Sequence, residues 1–122
     1  MGKSVSNAVL DAALAVIATC TQLDITSDAG TPANLTNSLA SVALTAGDGN
    51  GDYTIADGGT SGRKITVSEQ ASIEVITTGD AKHIVLSLSG TIHLTTTCTT
   101  QTLTDGNTVT VPAFVDEIAD PT

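Results

Sequence analysis

SIEVITTGDAKHIVLSLSGTIHLTTTCTTQTL, residues 72–103, decides the fold class. Val, Ile, Leu and Thr alternate through it, and β-branched side chains fit the pleated, half-buried surface of a strand. Ile73 and Val75 lie on odd positions, whereas Ile84, Leu86, Leu88, Ile92 and Leu94 lie on even ones. Gly79-Asp80 falls between the two series and suits a two-residue hairpin turn, because Gly tolerates positive φ. Folding about that turn sets Val75 opposite Ile84 and Ile73 opposite Leu86, so apolar side chains meet on one face. The even series then runs across Gly90. A tight turn at Ser89-Gly90 would throw Ile92 and Leu94 onto the opposite face, so one long strand, bent or bulged at Gly90, is expected.

The same alternation recurs on either side. Val42 and Leu44 open a strand, the GDGNGD run at 47–52 turns the chain, and Tyr53 and Ile55 mark a strand ending at Asp57-Gly58-Gly59. Ile65 and Val67 form the next. Downstream, Asp105-Gly106-Asn107 suits a three-residue loop that sets Leu103 beside Val109. Pro112 suits an edge or a strand end, and DEIAD at 116–120 reads as an acidic tail. About seven or eight strands at this spacing predict a mainly β fold, an antiparallel sandwich or barrel.

One helix precedes them. Val9, Leu10, Ala13, Leu14 and Ile17 recur at helical spacing among alanines, behind the potential N-caps Ser4, Ser6 and Asn7. This predicts an N-terminal α-helix over residues 6–19, docked on its own body, with an arm reaching to a neighbour as the alternative. Residues 21–39 are rich in turn formers (Thr26, Ser27, Asp28, Gly30, Pro32) and read as a linker or extended arm. A short second helix could start there at Asn34 or Thr36. The expected organisation is therefore a helix and arm over residues 1–39 and a β-rich body with an acidic tail over residues 40–122.

Composition narrows the function classes. Threonine occurs 22 times in 122 residues against one Tyr, one Phe and no Trp, so strands form readily around a core that lacks its usual large rings. Part of the stability is expected from neighbouring copies or a larger surface. A formal net charge of −9 repels phosphate backbones, so direct nucleic-acid binding is not expected. The apolar run at 8–18 is too short to span a bilayer and is interrupted by Asp11, so a cytoplasmically made protein, rather than an exported or membrane one, is expected.

Candidate chemistry is sparse. Asp48, Asn50, Asp52 and Asp57, with Thr54, place alternating oxygens in a Gly-rich loop that could wrap a hard cation such as calcium. Tyr53 stands where an EF-hand needs its turn glycine and no Glu closes the loop, so an ordinary turn is favoured. His83 and His93 share a parity opposite the apolar face and read as solvent-facing, too far apart along a strand to share a metal. Glu69 and Glu74 could pair as glycosidase carboxylates, but the chain has almost no aromatic platforms for sugars. GGTSGRK at 58–64 lacks the Walker spacing. No G-x-S-x-G motif occurs. No enzyme activity and no cofactor are expected. Cys20 and Cys98 leave three states open: free thiols, which are favoured, an internal bridge, or a bridge between subunits.

The run VALTAGDGNGDYTIADGGTSGRKITV at 42–67, with the alanine-rich opening helix, resembles small virion structural proteins of tailed bacteriophages, in particular capsid decoration or cement proteins. The resemblance implies a compact β domain on the capsid exterior whose partners are the major capsid protein and copies of itself. It carries no diagnostic motif, so no functional residue is transferred. The alternatives are another virion component (tail, neck or fibre), or an extracellular adhesion or carbohydrate-binding β domain.

Overall fold

A computed structural model describes residues 5–27, 37–59 and 61–119. It is mainly β, with antiparallel sheets and one N-terminal helix, arranged as a sandwich. The helix α1 spans Asn7–Ile17, and nine strands follow in the described residues: β1 Gln22–Thr26, β2 Ser38–Ala43, β3 Tyr53–Asp57, β4 Arg63–Val67, β5 Gln70–Glu74, β6 Gly79–Leu88, β7 Thr91–Leu103, β8 Thr108–Val111 and β9 Phe114–Ile118. They form a four-stranded sheet in the order β2-β1-β6-β7, a three-stranded sheet β3-β4-β9 and a two-stranded sheet β5-β8.

Side-chain parity sorts residues between faces as expected. Ile65, Val67, Ile73, Val75, Ile84 and Leu86 are all buried, and they share one core with Leu23 and Ile25 of β1. Leu23 pairs with Leu86 and Ile25 with Ile84, which fixes the inner face of the four-stranded sheet. Leu10 and Leu14, four residues apart, are the buried side chains of α1. Ser6 occupies the N-cap position without a side-chain cap; its carbonyl accepts from Val9 and Leu10 instead.

Strand pairing departs from the sequence-based expectation in several places. Gly79-Asp80 is not a turn. Its residues open β6, with Gly79 opposite Leu103 and Asp80 opposite Thr102, while β5 pairs with β8 in another sheet. The chain crosses between sheets at residues 75–79, because Val75 bridges to Ala40 and the amides of Ile76 and Thr77 donate to the Leu39 carbonyl. Gly79 has no positive φ, but a Cβ there would press on Leu39.

The rejected turn at Ser89-Gly90 is the real one. Both residues have positive φ, 50° and 84°, the condition of a type I′ hairpin. The phase problem is solved by a bulge. Leu88 pairs with Thr91 and Ser87 with Ile92, but Leu86 pairs with Leu94, which leaves His93 as the extra residue. Leu94 thereby returns to the face of Leu86.

Three further expectations are corrected. Of the presumed linker at 21–39, Gln22–Thr26 is an interior strand, hydrogen-bonded to β2 on one side and β6 on the other. Asn34 and Thr36, the suggested helix starts, lie outside the described residues. Of the presumed acidic tail, Asp116, Glu117 and Ile118 belong to β9, paired with β4. Asp105-Gly106-Asn107 does turn the chain, but the strand that follows joins β5 and not β7, so Leu103 and Val109 meet across the core and not along a ladder.

Truncating Leu86 to Ala should cost about 2–5 kcal/mol in urea unfolding, since its side chain is fully buried between sheets. A loss within about 0.5 kcal/mol, the surface value, would contradict the assigned face. Gly62 has φ +73° and its missing Cβ would collide with the Ile118 carbonyl oxygen. Gly62→Ala should therefore destabilise by more than the ~1 kcal/mol of a simple backbone effect.

Candidate interaction surface

The acidic loop between β2 and β3 is built as a turn, not as a cation cage. Asp48 accepts from the Ile55 amide at 2.9 Å, while Asp52 accepts from the Thr45 amide at 2.6 Å and from Gln70 Nε2 at 3.0 Å. Asn50 donates to the Ala46 carbonyl, and Asp57 takes the Arg63 guanidinium at 2.7 Å. Each carboxylate thus satisfies a backbone or side-chain donor of its own. Among the described residues no group of three or more His, Cys, Asp or Glu converges on a metal position.

GGTSGRK also reads as structure; its Thr60 lies outside the described residues. The Gly59 amide, the kind of donor a phosphate would need, is taken by Glu117 at 2.9 Å. Arg63 faces inward to Asp11 of α1 at 2.6 Å as well as to Asp57. That pair of hydrogen-bonded carboxylates holds the guanidinium's pKa above its ordinary value, the Asp11 bond contributing most. Arg63 therefore clamps the helix to its own body, the docked arrangement expected from its spacing.

His93 is exposed as expected, but His83 is not: it is 7% exposed, on an interior strand opposite Thr26. Alternation places it away from the apolar face correctly. The face it occupies is not a solvent face, because Asp24, Thr26 and Ser87 on the same side are buried too. Asp24 is satisfied by Gln22 and Ser38, each at 2.7 Å, whereas Thr26 Oγ1 and His83 Nδ1 have no partner among the described residues. Glu69 and Glu74 are both exposed.

Two features face outward or open a cavity. The outer side of α1 carries Ala8, Val9, Ala12, Ala13, Ala15 and Val16, all exposed and without charge, with Val9 59% and Val16 50% accessible. A groove of about 450 Å³ opens between β7 and the β8–β9 segment, walled by Ile25, Ile84, Leu103, Val111 and Phe114 with Cys98 at its side. In the core Tyr53, fully buried, donates its hydroxyl to the Cys20 carbonyl at 2.8 Å. Nothing in the sequence pattern singled out the groove, because its walls come from strands distant along the chain.

Cys20 is buried and Cys98 half-buried, both as free thiols. Burial pushes both thiol pKa values up, which depletes the reactive thiolate at neutral pH. In native protein at pH 7, iodoacetamide should modify Cys98 slowly and Cys20 not at all. The Cys98 rate should climb as pH rises toward its elevated pKa, and mass spectrometry of the alkylated peptides reads both. Rapid modification of Cys20 without unfolding would contradict its placement.

No known protein family, no curated protein and no solved structure matches this chain.

Proposed function

We propose that the protein is a non-enzymatic decoration, or cement, subunit of a phage capsid, bound outside the lattice of the major capsid protein and reinforcing the head. The observation that carries this reading is the uncharged outer side of α1. Val9 and Val16 stand exposed on a helix whose other side is fixed to the β body by Leu10, Leu14 and the Asp11–Arg63 pair. An apolar patch held on a rigid scaffold is suited to a protein surface. Many such subunits on a repeating lattice reach stable attachment through modest individual contacts. The acidic charge keeps unattached subunits soluble and disfavours contact with packaged nucleic acid.

The resemblance in the 42–67 run supports a virion role in the same sense, without choosing between head, tail, neck and fibre. Quantitative mass spectrometry of purified particles tests the assignment. Multiple copies in a fixed ratio to the major capsid protein are expected on heads freed of tails, and presence only in tail fractions, or in no particle, would overturn it. Val9→Asp with Val16→Asp should leave the unfolding midpoint within a few degrees of the parent and lower attachment to undecorated heads at least tenfold. Unchanged attachment would remove α1 from the interface.

A further inference from the structure

The edges of the sheets are not equally protected. β2, one border of the four-stranded sheet, is covered where Ile76 and Thr77 bond to Leu39 and Val75 bridges to Ala40. β3 and β9, the borders of the three-stranded sheet, are five residues each and carry Asp57 and the pair Asp116 and Glu117. β8 is four residues long and is followed by Pro112. Charge, brevity and proline are the ordinary means of keeping an edge from pairing with another chain.

β7 has none of these. It is thirteen residues long, borders the four-stranded sheet, and contains no Asp, Glu, Lys, Arg, Pro or Gly. In a chain of net charge −9 this is an uncharged run of exposed backbone. Among the described residues its strand pairing is with β6 alone, and α1, which touches it, makes no backbone hydrogen bond to it. Bulges interrupt the ladder at His93, between Leu86 and Ser87, and across Cys98–Thr100, between Ala81 and His83, and leave Leu94–Thr97 regular opposite His83–Leu86. The groove opens beside the far half of this strand, with Thr96, Cys98 and Gln101 in its lining.

We infer that β7 is a self-pairing edge, onto which β7 of a second copy of this chain adds antiparallel across a two-fold axis at Thr96. The occupant follows from charge and from shape. Another copy of β7 brings no charge against the strand, whereas β9 or β3 would bring carboxylates. Thr–Thr neighbours across a ladder are favourable pairs. In the Thr96-to-Thr96 register, Leu94 of one copy comes level with Cys98 of the other, the first residue past the regular stretch. Both residues pack against the core on the inner face, so each copy's Leu94 is laid at the mouth of the other's groove. The contact is isologous and closes as a dimer with one continuous eight-stranded sheet, not as an open fibre. The two Cys98 side chains fall about four residues apart along the strands, on the order of 13 Å, too far for a disulfide. The inference rests on the edge alone and stands or falls separately from the capsid assignment.

Sedimentation of the full chain over a range of concentrations tests it, comparing the parent with Thr97→Lys at the edge and Thr54→Lys on the exposed face of β3. A dimer that Thr97→Lys dissociates at least tenfold more readily, and that Thr54→Lys leaves intact, is expected. Amide hydrogen exchange gives a second reading that needs no variant. Protection at residues 94–97 should fall on dilution below the dissociation range while β1 protection stays. Thr96→Cys in a Cys98→Ser background should give a reducible dimer on mild oxidation. A parent that stays monomeric at all concentrations, a dimer indifferent to Thr97→Lys, or a larger open assembly would each overturn the inference.

Discussion

The fold depends on burying one aromatic ring. Tyr53 is the chain's single tyrosine, there is no tryptophan, and the single phenylalanine, Phe114, is only half-buried. The Tyr53 ring is fully enclosed, and its hydroxyl reaches the Cys20 carbonyl, so the start of β3 is tied to the turn that leaves α1. Leaving such a buried carbonyl unpaired would cost about 1–3 kcal/mol, so the bond also fixes the ring's position. Around it the core is filled with Leu, Ile and Val from all three sheets and from the helix. With rings this scarce, each aliphatic contact is a larger share of a small total, and the clamp of Arg63 on Asp11 holds the helix where Leu14 completes the enclosure.

A period of two tells which side chains share a face, and that much was legible: every apolar position assigned by parity from Ile65 to Leu86 is inside. It does not tell which strand lies beside which. The hairpin at Gly79-Asp80 and the continuous strand bent or bulged at Gly90 both assume that the chain keeps its phase, and a single extra residue, His93, breaks it. β1 was hidden differently. Leu23 and Ile25 alternate with Asp24 and Thr26 as a strand should, but the alternation is short and runs into the turn formers after residue 26. In β9, acidic residues concealed a strand whose Glu117 is engaged with the Gly59 amide.

The acidic 48–57 loop was legible as a turn because Asp and Asn accept and donate locally, and each of them does so. His83 was not legible, since burial of the second face of a sheet depends on its interior position between β1 and β7, a property of topology and not of local sequence. The same holds for the β7 edge. Its lack of charge is written in the sequence, but only the strand order makes that absence consequential.

Spectroscopic titration of the phenol tests this account most directly, because the chain's one tyrosine gives an unobstructed signal. Burial, with the charges of Cys20 and Asp52 adding to it, raises the Tyr53 pKa far above the ordinary value of 10.0. The unfolded chain releases the phenolic proton near pH 10 while the folded one keeps it, so the stability this group contributes is complete below pH 10 and is lost as pH rises beyond it. Phenolate absorbance should therefore appear only together with loss of the far-ultraviolet β signal, in one cooperative step above pH 10. A reversible titration centred near 10 with the β signal intact would show an accessible ring, and the core described here would be wrong.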